Sequence, residues 1–369
     1  MKKILILGVA PVQAEAIEKL NDMGYETYAL AMKKDGPGAD AAQHFAEINI
    51  IDETAVAEYI RENKIDAVYS VGSDLAMPVA NKLSEELDLP HFVSYETAYA
   101  CNHKDDMRNR TKGITGSVPF EITQDANHKT AIEYPVFVKP TDGQGQRGIS
   151  LVETEAELPA AIERAVDHSR EGAAIIERYI EGYEISVNGY VVDGQLQFTL
   201  VSMRETWPQH PGLIHKHVID PETKFPMASI EAAIQAHLET LHIDNGPVYA
   251  QVKVMNDEAF IIEITPRFDG CHMHKLIQYY NEDDLLGKTF KHLLEGEKPS
   301  FTNQKEVHPV VLEFMCEVPN QTIDYQQFET PEGTVESYRY YSQGDMIRPV
   351  NGVYDKVGFF IYPLKKEEN

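Results

Sequence analysis

Glu263 stands in the run Phe260-Ile261-Ile262-Glu263-Ile264-Thr265-Pro266-Arg267, with an isoleucine on each side. Side chains alternate along a strand, so Glu263 and Thr265 share a face, and Arg267 continues it past Pro266. Upstream, Gln251 and Lys253 share a face of a second apolar run. A turn over Asn256, Asp257 and Glu258 folds the two runs together and sets Gln251 opposite or beside Glu263. Carboxylate, amide and hydroxyl oxygens would then meet two cations. Hard oxygen ligands suit Mg²⁺, which keeps waters and bridges protein to phosphates. An arginine there stabilises negative charge on a transferring phosphoryl group. The alternative is a salt-bridged surface hairpin, which the flanking isoleucines disfavour.

Three earlier segments complete the set. Lys139 lies in Val138-Lys139-Pro140 at the end of an apolar strand. An ammonium so placed needs an anionic partner, and a phosphate is the natural one. Next comes Gly143-Gln144-Gly145-Gln146-Arg147-Gly148, a literal GxGxxG. The dinucleotide fingerprint needs strand, turn and helix, whereas this loop lies between two strand patterns. It reads as a glycine hairpin able to offer backbone N–H groups to phosphates, or as a plain flexible turn. Glu177 ends another apolar strand, and Glu184 follows seven residues later in Glu177-Arg178-Tyr179-Ile180-Glu181-Gly182-Tyr183-Glu184. Backbone at that strand exit could read an adenine edge, and Glu184 could accept from ribose hydroxyls. An acidic surface turn is the simpler reading of this octet taken alone.

The elements that carry these residues follow from periodicity. Lys3 to Val9, Tyr25 to Met32 and Ile65 to Val71 read as strands, alternating with helices over Ala14–Met23 and Glu53–Asn63. Strand, helix, strand, helix implies a doubly wound parallel sheet. A helical stretch from Tyr95 to Lys112 follows. From Tyr134 on the pattern becomes α+β, with hairpins around Asp193-Gly194 and Asn256-Asp257. The expected divisions are 1–93 for a Rossmann-like domain, 94–117 for a helical linker, 118–185 for a lid, 186–300 for a metal and substrate subdomain, and 301–369 for a β-rich extension.

The chain has 369 residues, of which 43% are apolar and 25% charged, ample for a soluble core divided into two or three units. With 33 basic and 59 acidic side chains the net charge is −26, which argues against coating nucleic acid or adhering to anionic membranes. Three cysteines, Cys101, Cys271 and Cys316, form no CxxC pair, so a zinc knuckle or a disulfide framework is not expected. The apolar run Ile4–Leu7 is too short for a signal peptide, and no stretch reaches the roughly 18 apolar residues of a spanning helix. These features point to the cytoplasm.

Lys104, the Val-Lys-Pro strand, the glycine loop, the Glu177–Glu184 octet and Glu263-Ile264-Thr265-Pro266-Arg267 occur in an order and spacing that resemble the ATP-grasp superfamily of carboxylate–amine ligases. The resemblance spans roughly residues 1–300 and includes the turn Gly8-Val9-Ala10-Pro11-Val12-Gln13. It implies an N-terminal doubly wound domain, a small α+β lid and a C-terminal α+β domain, with ATP between the last two. Carried over by residue, Lys104 and Lys139 would meet the phosphates or the adenine edge, and Gly143, Gly145, Gln146, Arg147 and Gly148 would form the phosphate loop. Glu177, Tyr179 and Ile180 would meet adenine, the last two by backbone, and Glu184 the ribose. Gln251, Glu263 and Thr265 would hold two Mg²⁺ ions, for which Mn²⁺ can substitute, and Arg267 with Lys139 would act on the acyl phosphate. Gln251 and Thr265 depart from the family's glutamate and asparagine, which leaves one protein carboxylate for metal.

Substrate candidates are Arg204, the loop from Trp207 to His217 with His215 and Lys216, and Asp269, His272 and His274. Arg204 and Lys216 could receive a carboxylate. Zinc is disfavoured, because the histidine spacing gives no single helical face with a carboxylate. Cys271 reads as a small packed residue. The resemblance implies an acyl-phosphate ligase joining a small carboxylate, such as an amino acid, to an amine, and it admits a homodimer. Two alternatives stay open: a carbamoyl-phosphate or purine-pathway type of enzyme using bicarbonate or a ribotide, and a nucleotide-binding regulator without chemistry.

Overall fold

The structure is a computed structural model that describes residues 1–141, 148–301, 307–350 and 353–365. Lys3–Leu7 (β1) is buried on both faces, the mark of a central parallel strand. It pairs in parallel with Glu26–Ala31 (β2) and Ala67–Tyr69 (β4), and His44–Glu47 (β3) joins the edge, giving the order β3-β2-β1-β4. The crossovers are the helices Pro11–Asp22 (α1), Gly38–Ala41 (α2) and Glu53–Asn63 (α3), and Ala76–Glu86 (α4) follows β4. Pro11 sits in the first turn of α1, where its missing N–H costs nothing, and Asp52 caps α3 by accepting from the Ala55 amide at 3.1 Å.

The expected single helix from Tyr95 breaks at His103 into Tyr95–Asn102 (α5) and Lys104–Arg110 (α6), because His103 is extended, with φ −114° and ψ 110°. Beyond it, Phe120–Thr123 (β5), Val136–Pro140 (β6), Ser150–Val152 (β7) and Ala174–Arg178 (β8) form a small antiparallel sheet in the order β5-β8-β6-β7. Leu158–His168 (α7) covers it through Leu158, Ile162 and Ala165, which pack on Val136, Val138 and Ile176. This cluster is a core of its own, so the small sheet can act as one body.

The third sheet has eight strands in the order β13-β12-β9-β10-β11-β14-β16-β15. They are Tyr183–Val192 (β9), Gln195–Trp207 (β10), His210–Ile219 (β11), Gly246–Met255 (β12), Glu258–Thr265 (β13), Val310–Glu317 (β14), Glu336–Arg339 (β15) and Asp355–Pro363 (β16). The segment expected as a C-terminal extension thus hydrogen-bonds into the same sheet. The stretch from Trp207 to His217, expected as a loop, is instead a hairpin: Pro208 and Gln209 form the turn, and Arg204 pairs with His217 across it. Met227–Leu241 (α8) backs this sheet. Met273–Asn281 (α9) and Leu285–Glu295 (α10) fill the space toward the N-terminal sheet, where Ile6, Ile17 and Leu20 share one core with Phe290, Leu293, Phe314 and Phe359. Each such side chain contributes about 1.5–3 kcal/mol on full burial, so the N-terminal domain is fixed to the large sheet.

Candidate functional site

The large sheet carries a row of polar side chains. Register sets Glu263 against Gln251, Gln251 against Ser186, and Ser186 against Ser202. One step along, Lys253 faces Glu184, the Arg204 guanidinium lies 2.6 Å from the Glu184 carboxylate, and Arg204 pairs with His217. A packed sheet does not spend such a row on polar groups unless they are used or satisfied. Gln251 donates its Nε2–H to Glu184 at 2.8 Å, so the side chain presents its amide oxygen elsewhere. Glu263, half-buried, has neither a hydrogen bond nor an ion pair among the described residues.

Cations reach this row from several elements. Arg108 of α6 is 2% exposed and donates to the carbonyls of Ile261 at 3.0 Å and Ile262 at 2.9 Å, next to Glu263. Its Nε donates to Glu177 Oε1 at 2.7 Å, and Lys139 ion-pairs with the other oxygen of Glu177. Burial pushes the Glu177 carboxyl pKa up, but Arg108 and Lys139 outweigh it and hold it at about 2. Glu177 is therefore a buried anchor that aims Lys139, not a carboxylate turned to a base edge. Lys139, expected to look for a phosphate, already has this partner. Lys104 opens the same helix as Arg108.

Arg267 is 6% exposed. It donates through Nε to Asp74 Oδ1 at 2.7 Å, through Nη2 to the same oxygen, and through Nη1 to the Phe268 carbonyl at 2.8 Å. Burial opposes its charge, and Asp74 and Glu263 outweigh that. Three of its five N–H groups are thus fixed, and Asp74 sets the plane of the fork. Asp74 comes from the loop after β4, which can approach only because Gly72 and Gly270 meet: a Cβ on Gly72 would lie 2.7 Å from the Gly270 Cα, and Gly72 has φ +66°.

The remaining expected residues divide. Gly143, Gly145, Gln146 and Arg147 lie outside the described residues; Gly148 closes that loop with φ +73°. Tyr179 does not offer its amide to a ligand, because it donates to the Pro135 carbonyl at 3.1 Å, while Lys253 donates to the Ile180 carbonyl at 3.2 Å. Thr265 is buried opposite Tyr249. His215 and Lys216 leave the cleft: both pair with Glu313, at 3.0 and 3.2 Å, and alternation turns Lys216 away from the face of His217. Burial raises the Glu313 pKa, but His215, Tyr362 and Lys216 bring it down to about 2. His272 and His274 converge on Glu15 of α1, each with a ring nitrogen 2.9 Å from its carboxylate, and Lys275 lies 3.7 Å away. His272 also meets the Tyr340 hydroxyl at 2.7 Å. A neutral His272 that donates to Glu15 and accepts from Tyr340 satisfies all three groups.

Residues 132–275 match the family model described as the ATP-grasp domain. The chain is 24% identical over 307 residues to formate-dependent phosphoribosylglycinamide formyltransferase of Bordetella avium (strain 197N), covering 77% of this chain and 73% of that protein. Among solved structures it resembles phosphoribosylglycinamide synthetase from Anaerococcus prevotii, with TM-score 0.79, 18% identity and coverage of 99% and 94% of the two chains. It also resembles L-amino acid ligase from Bacillus licheniformis, with TM-score 0.78, 16% identity and coverage of 100% and 94%.

The match to the ATP-grasp domain covers residues 132–275, and the likeness in fold extends over nearly the whole chain. Its fold is the ATP-grasp fold, with a parallel-sheet domain, a small antiparallel sheet and a larger antiparallel sheet. Three residues tied directly to the expected site residues escaped the sequence reading: Arg108 on Glu177, Asp74 on Arg267 and Glu15 on His272. Their partners are 69, 193 and 257 residues away, so no local spacing could reveal them. The donor set at the hairpin suits a hard divalent cation, since Glu263 supplies a carboxylate unengaged among the described residues and Gln251 an amide oxygen freed by the bond of its nitrogen to Glu184. Among the described residues no helix is long and apolar enough to cross a membrane.

Proposed function

We propose that this chain is an ATP-dependent ligase that joins a small carboxylate to an amine through an acyl phosphate. The observation that carries the reading is Glu263, a half-buried carboxylate without a partner among the described residues, set opposite Gln251 and close enough to the buried Arg267 to act on its charge. Glu263, Gln251 and Thr265 would hold Mg²⁺, as two ions replaceable by Mn²⁺, which when bound neutralises charge on the triphosphate. Lys139, steadied by Glu177, would draw charge from the phosphates, and the described residue Gly148 closes the loop that would cover them. A carboxylate oxygen of the substrate attacks the γ-phosphorus, and the bond to the ADP oxygen breaks. The amine nitrogen then attacks the acyl carbon, the bond to phosphate breaks, and the nitrogen loses a proton. Arg267, aimed by Asp74, offers its two remaining N–H groups to the transferring phosphoryl oxygens. The small sheet, with a core of its own, would close over the acyl phosphate and keep water out.

A ribotide amine, as in the purine-type reading, needs free cations for its phosphate. Lys275 is held by Glu15 and Glu336, and Arg348 pairs with Asp35, so neither is free for such a phosphate without breaking its ion pair. The reading sets the enzyme in the cytoplasm, where its three buried free thiols stay reduced. Its test is ADP release on adding acids and amines singly and in pairs. ADP release that requires both supports the ligase. Release driven by bicarbonate alone supports the purine-type reaction, and binding of ATP without release under any addition supports a regulator.

A further inference from the structure

Beyond the metal hairpin the polar row ends in a cluster that no step above uses. Asp269, His217 and Cys271 are all buried, and their ligand atoms lie within 4.8 Å of one another. Asp269 Oδ1 accepts from the Cys271 amide at 3.0 Å, but its Oδ2 has no partner among the described residues. His217 is fully buried; its Nδ1 lies 3.1 Å from Ser202 Oγ, and its Nε2 has no partner among the described residues. Arg204 Nε is likewise without an acceptor among the described residues, although Nη1 lies 2.6 Å from Glu184. A buried polar atom left without a partner is destabilising, so a bound molecule is expected to supply the missing partners. Next to the cluster, the side chains of Arg204 and Glu184 are 11% and 27% exposed.

The charges choose the molecule. Nitrogen, oxygen and sulfur at this spacing would suit a zinc-like cation. Yet Lys356 donates to Cys271 Sγ at 3.2 Å, and Arg204 acts on both Asp269 and Cys271, so a bare dication would meet two fixed cations. A simple carboxylate would satisfy Arg204 and leave Asp269 Oδ2 bare. A molecule with a carboxylate and an adjacent ammonium satisfies both ends.

We infer that the cluster of Arg204, His217 and Asp269 binds the zwitterionic head of an α-amino acid, its ammonium on Asp269 Oδ2 and its carboxylate toward Arg204. Because Arg204 stands in the same row as Glu184 and Lys253, that carboxylate would face the side of the sheet to which the reading above assigns the triphosphate. The assignment names the carboxylate substrate of the ligase proposed above and rests on that reading for the reaction, though not for binding.

The test compares L-alanine with propionate and L-phenylalanine with 3-phenylpropionate, by calorimetric binding to the ATP-loaded protein and by ADP release with an amine present. The amino acid of at least one pair should bind, and should exceed its desamino partner by about 100-fold or more, as for sites built around a buried polar partner. Asp269→Asn and His217→Gln should erase that preference mainly through KM, while the affinity for ATP stays within about twofold on distant-site additivity. Binding preference without ADP release would uphold the pocket and sink the ligase reading. Equal binding of acid and desamino acid, or no binding of either, would overturn the pocket and leave the ligase reading to its own test. Stoichiometric Co²⁺ uptake with a thiolate absorption band lost in Cys271→Ser would also overturn it, in favour of a metal.

Discussion

Glu177 takes two cations at once, and that single carboxylate explains how Lys139 can end an apolar strand without a phosphate in place. Glu177→Gln leaves Arg108 and Lys139 near each other with no counter-charge, and should cost about 3–5 kcal/mol of unfolding free energy in urea titrations. An effect below the scatter of surface mutations would remove Glu177 as the anchor. Acid acts at the same residue: its folded pKa, about 2, lies below the ordinary 4.5, so its contribution is complete above pH 4.5 and is lost as pH falls toward 2. His237 titrates over a different window. Burial lowers it from 6.5 to about 4, so the unfolded chain takes up its proton first and stability falls as pH drops from 6.5 to 4. His237→Leu should flatten the thermal midpoint against pH across that window; an unchanged slope would contradict the assignment. Glu263 was readable in the sequence because its isoleucine neighbours made a carboxylate anomalous. Arg108 was not, since a charged residue in a short polar helix carries no sign that the helix will be buried against Ile261 and Ile262.

Turn chemistry made two hairpins legible. Asp193 and Gly194 have φ +51° and +74°, and Asn256 and Asp257 have +53° and +62°, the left-handed pairs that two-residue turns demand. The second fixes Gln251 against Glu263 and so builds the core of the site. The hairpin from Trp207 to His217 carried the opposite sign, because Pro208 in its turn and Pro211 and Gly212 inside its second strand read together as loop. Its misreading placed Lys216 in the cleft, where alternation within a strand forbids it. The place of β14 to β16 was hidden for another reason: their strand patterns were visible, but joining β11 is a pairing across 90 or more residues, which periodicity does not encode. At the element scale the loop after β4 offers the sharpest test. Gly72→Ala forces a side chain at φ +66° against the Gly270 backbone and pushes Asp74 off Arg267. It should cost about 1–3 kcal/mol in strain and slow ADP release more than it weakens ATP binding. Equal kinetics to the parent would show that Asp74 does not aim Arg267.

The whole molecule is held by contacts that cross its parts. One apolar core runs from β1 and α1 through α10 to β14 and β16, and inside it Glu15 gathers His272, His274 and Lys275. Burial raises the Glu15 pKa, but the two histidines outweigh this and keep the carboxylate ionised. Glu15→Gln should loosen the N-terminal domain from the large sheet, seen as faster limited proteolysis between the two; an unchanged pattern would show that the apolar core alone holds them. The two-layer organisation was legible because strand–helix alternation gives way to hairpins along the chain, whereas the ties between the layers join residues too distant for any pattern. A net charge of −26 repels a polyanion such as ATP, so on the proposed reading capture would depend on the local cations gathered at Glu177 and Arg267 and on a metal held by Glu263. The most direct measurement is therefore the affinity of a fluorescent ATP analogue with Mg²⁺ and with chelator, in the parent and in Glu263→Gln. The account predicts that Mg²⁺ tightens binding in the parent by about tenfold or more and that Glu263→Gln removes this gain while metal-free binding persists. The same Mg²⁺ dependence in both proteins would contradict it.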